Sequence, residues 1–368
     1  MKKLKIAIVG TRGIPAKYGG FETFAEELAV RLLQKDIIVE VFCDKDSYES
    51  NSYKNVDLVF SEYTKTGNSI KYYNDCITKA ALTNDAVIIC GTGGALFLLK
   101  KYFKRKKTIY ITNSDGIEYK RSKWPLWGRV IIKATEILSV LISNYIIADS
   151  KGIKQYLLKQ YKFLSPLKIR QIEYGAKIVE SYDESLLTKY NLNKDEYYLV
   201  VSRLEPENNV DTILEGFKKT NLNKSLIVVG NLLTTEYVKY LKTFESDKIR
   251  FIGGIYDKTE LATLRYFCKA HCHGHSVGGT NPSLLEALGC GNIVLAHDNI
   301  FNREVTSDRM FYFTNENDVS DMLKRIESLT SDEALKLKDF SKNRILDYYN
   351  WERITNEYAS FLHEIFKK

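Results

Sequence analysis

Apolar residues in this chain arrive in short continuous runs, and each run is followed by a stretch with helical spacing. The runs predict strands at residues 5–9, 37–43, 86–90, 108–112 and 145–148, then a second series at 197–201, 225–229, 249–251 and 293–296. Continuous runs suit parallel strands covered on both faces. After the first strand, Phe24, Leu28, Leu32 and Leu33 share one helical face; the last helix, from Trp351, carries Ile354, Tyr358, Phe361, Leu362 and Ile365 at the same spacing. This order predicts a doubly wound α/β protein. A length of 368 residues exceeds one typical core and predicts two domains. The boundary is expected near Gly175, giving residues 1–175 and 176–350, with the helix 351–368 packing back on the first. Two such halves, with a ligand at the carboxyl ends of their strands and a cleft between them, suit a nucleotide ligand. No solenoid repeat or low-complexity tract is present.

Composition narrows the class. Hydrophobic residues make up 44% and charged residues 27%, ordinary values for a soluble globular protein. The six cysteines sit mostly inside apolar runs without disulfide-framework spacing, which favours a reducing compartment. The basic start is followed by too short an apolar run for a signal peptide. The most apolar later window, 130–148, is interrupted by Lys133 and Glu136, so no segment is expected to span a membrane.

Charge is uneven. Residues 1–180 hold 30 Lys and Arg against 18 Asp and Glu; the remainder holds 24 against 28. Such asymmetry suggests that the first half meets an anionic partner. One basic cluster, including Lys104 and Arg105, surrounds Tyr102 and Phe103; another, Lys120, Arg121, Lys123 and Arg129, interleaves with Trp124 and Trp127. Basic residues mixed with Trp suit an anionic headgroup layer. Nucleic acid is a competing partner, although no known module matches. A solvated basic face over two core tryptophans is the third reading.

The candidate chemistry lies in Gly278-Gly279-Thr280-Asn281-Pro282-Ser283-Leu284-Leu285-Glu286. Two glycines permit close backbone approach. Thr280 or Asn281 supplies an N-cap and Pro282 suits the first helical position. The helix, 283 to about 288, would present free amides and its positive dipole end to a phosphate or diphosphate. Glu286, one turn in, would reach a ribose. An ordinary capped helix after a glycine turn is the alternative.

The first loop, Gly10 to Glu22, has Gly10-x-x-Gly13 spacing, and its helix starts about ten residues later. That departs from a dinucleotide fingerprint, although Asp44 sits where a ribose-binding acid belongs. An NAD(P)-dependent oxidoreductase is therefore the runner-up. Asp115 and Glu118 follow the strand 108–112 and would face an acceptor hydroxyl, with Asp115 positioning or deprotonating it. A capping Asp followed by a Glu paired with Lys120 and Arg121 is the alternative. The stretch from Cys268 to His275 concentrates soft ligands, but adjacent His271 and Cys272 would point apart on a strand. No metal is expected there, and His273 and His275 read as cleft-lining or core residues. Asp44-Lys45-Asp46 reads as a turn rather than a metal motif.

Gly19-Gly20-Phe21-Glu22, Val201-Ser202-Arg203-Leu204 and Leu285-Glu286-Ala287-Leu288-Gly289-Cys290-Gly291 together resemble the retaining glycosyltransferases of family 4, across essentially the whole chain. The segments 11–15, 115–121 and 275–286 resemble the rhamnosyltransferase branch that builds bacterial surface polysaccharides. The resemblance implies the GT-B fold, two Rossmann-like domains facing a central cleft, and no cofactor beyond a nucleotide-sugar substrate. It implies that Gly19 and Gly20 face the donor diphosphate, Arg203 binds it, the backbone of Gly279, Thr280 and Asn281 cradles the phosphates, and Glu286 holds the ribose. Glu207 and Asn208 belong to the same donor loop. Two departures stand out: the first of two glutamates usual in the family falls on Gly278, and a usual lysine falls on Asn208. Both put the common hexose donors in doubt and fit a deoxysugar such as rhamnose from dTDP-rhamnose. The implied acceptor is a lipid-diphosphate-linked saccharide at the inner face of the cell membrane, with Lys104, Arg105, Lys120, Arg121, Trp124 and Trp127 meeting the bilayer. A catalytically silent sugar-nucleotide-binding protein is the remaining alternative.

Overall fold

The computed structural model describes residues 3–17, 19–45, 47–102, 108–114, 117–121 and 124–367. The chain divides into two compact units. The first holds residues 1–120, 124–174 and 351–368; Arg121 and residues 175–350 belong to the second.

The first unit is built on eight strands: β1 (Lys5–Val9), β2 (Ile38–Cys43), β3 (Ser52–Tyr53), β4 (Val56–Phe60), β5 (Ala86–Cys90), β6 (Ile109–Ser114), β7 (Tyr145–Ala148) and β8 (Ile169–Gln171). They lie in the order β3-β4-β2-β1-β5-β6-β7-β8. All neighbours are parallel except the β3–β4 hairpin. Ile6, Ala7, Ile8 and Val9 are all buried, as a central strand covered on both faces requires. Four helices connect the strands: α1 (Gly20–Leu33), α2 (Ser69–Thr83), α3 (Leu126–Ile142) and α4 (Lys151–Gln160). Tyr72, Tyr73, Cys76 and Ile77 of α2 fill one face of the sheet together with Ala7, Val9, Val87 and Ile89.

The loop after β1 is folded onto α1. Arg12 N donates to Glu22 Oε1 at 2.9 Å and Ala16 N to Glu26 Oε2 at 2.8 Å. Gly10 and Gly13 take φ of 91° and 113°, and a side chain at either would strike Cys90 or Cys43. Asp44 is buried and accepts from Lys65 N at 2.8 Å. Loop amides committed to glutamates cannot also cradle a pyrophosphate, and Asp44 is occupied in holding a neighbouring turn. The oxidoreductase reading therefore loses both of its structural supports.

The second unit has six parallel strands: β9 (Tyr197–Val201), β10 (Ser225–Val229), β11 (Ile249–Gly253), β12 (Ala270–His273), β13 (Val294–His297) and β14 (Phe311–Phe313). Their order is β11-β10-β9-β12-β13-β14. Its helices are α5 (Val210–Lys218), α6 (Glu236–Lys242), α7 (Lys258–Phe267), α8 (Pro282–Gly289), α9 (Ile300–Thr306), α10 (Glu316–Glu327) and α11 (Ser331–Asp347). One core, with Tyr198, Val200, Leu226, Val228 and Cys272, lies on one face of this sheet; the other, with Tyr197, Leu199, Ile227, Leu264 and Phe267, lies on the opposite face.

The chain then returns to the first unit as α12 (Trp351–Phe366). Tyr358 meets Phe24 of α1 with ring centroids 5.6 Å apart, and Phe361 meets Tyr145 at 5.3 Å. Strands β3, β4, β8, β12 and β14 were not visible as apolar runs. Strands β3, β8 and β14 are short, β4 is interrupted by the exposed Asp57, and β12, Ala270-His271-Cys272-His273, carries polar side chains into the interior.

Candidate active site

Strand order in the second unit reverses between β9 and β12, so their carboxyl ends form a topological switch point, where ligands of open α/β sheets bind. Both candidate segments emerge there. Arg203 follows β9 directly, and a loop of residues 274–281 carries β12 into α8.

Helix α8 starts as its sequence requires. Asn281 is the N-cap, its side chain accepting from Ser283 N at 2.9 Å, and Pro282 takes the first helical position. Gly278 has φ of 138° with nothing within 4 Å of where a side chain would begin, so the loop in front of the helix is open. At the other end, a side chain on Gly289 would collide with the Lys177 carbonyl, which seats α8 against the strap entering the unit.

Glu286 does not stand alone. Arg265 Nη1 lies 2.8 Å from its Oε2; the Arg265 side chain is 4% exposed and that of Glu286 43%. Arg265 Nη2 also donates to Ser283 Oγ at 3.1 Å, and Ser283 Oγ donates to the Val201 carbonyl at 3.2 Å. A buried guanidinium thus fixes one side of the carboxylate, ties α8 to the end of β9, and leaves the other carboxylate face to solvent.

Beneath this pair stands a column of imidazoles. His271 and His273 are fully buried, and none of their ring nitrogens has a hydrogen-bond partner. His273 stacks on the partly exposed His275 at 4.4 Å and lies 6.0 Å from His271. Burial, then the Arg265 guanidinium, pushes His273 down to about 3; the same causes hold His271 well below its ordinary value. His275 is lowered by burial first, then by His273, Arg203 and Arg121. The column is therefore neutral at physiological pH.

The loop after β9 is stitched to the loop after β12. Asn209 Nδ2 donates to the Gly274 carbonyl at 2.7 Å, and Ser276 N and Oγ donate to the Glu207 carbonyl at 3.0 and 2.8 Å. A side chain on Gly274 would strike the Asn208 carbonyl. Arg203 is more than half exposed and lies 3.5 Å from Glu205. This leaves a permanently charged planar fork available to an anion.

The structure brings together Arg203, Gly279, Thr280, Asn281 and Glu286 around one switch point, and it corrects several other expectations. Asn208 is buried and spends its amide on the Arg203 carbonyl at 2.7 Å, so it shapes the turn rather than meeting a donor. Glu207 is also buried, and Arg121 Nη1 lies 3.9 Å from both Glu207 and Glu205. With its side chain only 12% exposed, Arg121 faces carboxylates of the second unit and cannot meet headgroups. Trp124 is half-buried and donates from Nε1 to Glu118 Oε1 at 3.1 Å, so its ring is engaged within the first unit. Lys120 and Trp127 are exposed. In the first unit, Gly19 is the extended N-cap of α1 and Gly20 its first residue, both exposed. Asp115, Lys104 and Arg105 lie outside the described residues.

Arg265 escaped the sequence reading; His273, read there as a cleft-lining or core residue, is buried. The signal for Arg265 was an arginine interrupting the apolar face formed by Leu261, Leu264 and Cys268. His271 and Cys272 belong to opposite faces of β12, as their adjacency on a strand predicts.

Residues 184–346 match the family described as "Glycosyl transferases group 1", and residues 3–177 match "Domain of unknown function (DUF1972)". No curated protein matches the chain. Among solved structures, sucrose-phosphate synthase from Thermosynechococcus elongatus aligns over 99% of each chain at 14% identity, with a TM-score of 0.84. HepE of Anabaena in complex with UDP aligns over 98% of this chain and 100% of its own, at 14% identity and a TM-score of 0.77. The catalytic domain of starch synthase IV from Arabidopsis thaliana, bound to ADP and acarbose, aligns over 100% of both at 11% identity and a TM-score of 0.75. The fold is GT-B, and the match to group 1 glycosyl transferases lies in the second unit.

Proposed function

We propose that this protein is a retaining glycosyltransferase that moves a deoxysugar, L-rhamnose from dTDP-rhamnose, onto a lipid-diphosphate-linked saccharide in cell-surface polysaccharide synthesis. The observation that carries the reading is the arrangement at the switch point of the group 1 domain. An open glycine-led loop precedes the capped amino end of α8, and Glu286 is held by Arg265 one turn behind it. Such a helix end receives the diphosphate and a fixed carboxylate behind it receives the ribose. Solved GT-B structures holding UDP, UDP-glucose or ADP support a nucleotide-sugar donor.

The deoxysugar rests on two vacancies of chemistry. Gly278 offers no carboxylate to a sugar hydroxyl, and Asn208 is turned inward where the resemblance expects a lysine. A site with fewer hydroxyl partners leaves less unpaired when the sugar itself has fewer hydroxyls. In the reaction, the bond between the sugar C1 and the donor diphosphate breaks, and the acceptor oxygen bonds to C1 on the same face. The acceptor proton passes to the leaving phosphate, whose developing charge Arg203 and the α8 amides stabilise. The sugar nucleotide carries its own activation, so the reading calls for no cofactor or metal.

The test is a screen of sugar nucleotides against lipid-diphosphate acceptors, with nucleoside diphosphate release as the readout and product linkage read by NMR. Glu286→Gln keeps a partner for Arg265, and Arg203→Ala removes an exposed cation, so both variants should fold. Each is expected to lose about 100-fold or more in turnover. Wild-type turnover in either would contradict the site, and a preference for UDP-glucose over dTDP-rhamnose would overturn the choice of sugar.

A further inference from the structure

Helix α3 of the first unit buries Val140 and Ile142 near its end, but over most of its length it turns polar groups inward and a large apolar stripe outward. Its polar side chains point inward: Glu136 and Ser139 are buried, and Lys133 reaches Glu136 at 2.7 Å, Tyr156 at 2.7 Å and Tyr161 at 3.0 Å. Its fully exposed positions are all apolar, with Leu126, Trp127, Val130, Ile131, Ile137 and Leu141 the large ones and Trp127 at 70% exposure. At 100° per residue these six fall on one continuous stripe. The stripe continues onto the loop after α4. Lys168 Nζ donates to the Val140 and Leu141 carbonyls, which brings the 85% exposed Leu167 beside the end of α3. Phe163, also exposed, packs its ring on Tyr161. Isolated exposed leucines need no explanation, but a contiguous apolar face of this kind marks an interaction surface.

The charges of the segment that carries the face select its occupant. Between Tyr119 and Gln171 the sequence has eleven Lys and Arg against two acids, Glu136 and Asp149, and both acids are buried. Lys120, Lys151, Lys159 and Lys162 are exposed, so among the described residues of this segment every exposed charge is positive. A second copy of the chain would meet this face through a two-fold contact and set like charges against each other. An anionic bilayer supplies both missing partners: acyl chains for the stripe and phosphates for the cationic border. No helix among the described residues is long and apolar enough to cross a membrane, so α3 would lie in the interface plane.

We propose that the outward face of α3, with Phe163 and Leu167, seats the protein on an anionic lipid surface. This deepens the lipid-linked acceptor reading and rests on it for its purpose. It moves the anchoring element away from Arg121 and Trp124, which are engaged elsewhere, to a stripe of which the basic-aromatic pattern showed only Trp127.

The test uses the full chain, without donor or acceptor, and vesicles of phosphatidylglycerol and phosphatidylcholine in equal parts. Wild-type protein is expected to co-sediment, with Trp127 emission moving to shorter wavelength and binding weakening as salt rises. Val130→Glu with Ile131→Glu should lower vesicle affinity about tenfold or more, because buried apolar area sets the strength of interfacial binding. Leu167→Glu, in a loop outside the helix, should lower it to a lesser degree and guards against misfolding of the helix variant. Unchanged binding in both variants, or no vesicle binding by wild type, overturns the proposal. A concentration-dependent dimer abolished by the same substitutions, without vesicle binding, assigns the face to a second copy instead. Vesicle binding by a chain that transfers no sugar would sink the transferase reading and leave this one standing.

Discussion

Helices α3 and α12 belong to the same unit, and both carry an apolar stripe at helical spacing, yet the stripes meet opposite fates. On α12, Trp351, Ile354, Tyr358, Phe361, Leu362 and Ile365 are buried, with Tyr358 against Phe24 and Phe361 against Tyr145. Its charged residues, such as Glu352 and Glu364, face outward, Glu352 pairing with Lys35 at 2.8 Å. On α3 the carboxylate of Glu136 is buried, and Leu126 and Leu141 are outside. The difference teaches that periodicity reveals a stripe without revealing what covers it. Glu136 is tolerated inside because Lys133, Tyr156 and Tyr161 all hydrogen-bond to it.

The comparison can be broken by mutation. The largest effect is expected at α12, where Leu362→Ala removes a fully buried side chain and should cost about 2–5 kcal/mol in denaturant unfolding. A loss under about 1 kcal/mol would mean that α12 is not the covered member of the pair.

The second effect separates the two units. Among the described residues the buried histidines lie in the second unit. A histidine with a folded value near 3 refuses protons that the unfolded chain accepts below about 6.5. Its contribution is complete at neutral pH and is lost as pH falls from about 6.5 toward 3. Replacing His273 with Phe should flatten the fall in second-unit stability by about 1.4 kcal/mol per pH unit in that window. An unaltered slope, followed by tryptophan-independent probes of the second unit, would show that His273 protonates in the folded state.

The smallest effect belongs to α3. Val130→Ser should change stability by no more than about 0.5 kcal/mol, since the side chain is already in water. A cost approaching that of Leu362→Ala would show that the face is covered in solution and would remove the contrast.

Much of the fold was legible because its strands are continuous apolar runs and its helices keep their period. The amino end of α8 was also legible: glycines, Asn281, Pro282 and Glu286 are local signals, and the helix starts within a residue of the expected place. Arg265 was not, because its importance comes from a contact across 21 positions of sequence to Glu286. Nor was the inward turn of Asn208, which depends on Gly274 admitting its carbonyl.

By itself the sequence determined where apolar stripes run, where a glycine-led loop meets a capped helix end, and how charge divides along the chain, since each depends on residues near one another in order. Only the tertiary structure decided which stripe is covered, which guanidinium grips Glu286, and which cations remain on the surface. Those outcomes depend on packing between distant segments, where burial rewards apolar area and penalises a charge without a partner.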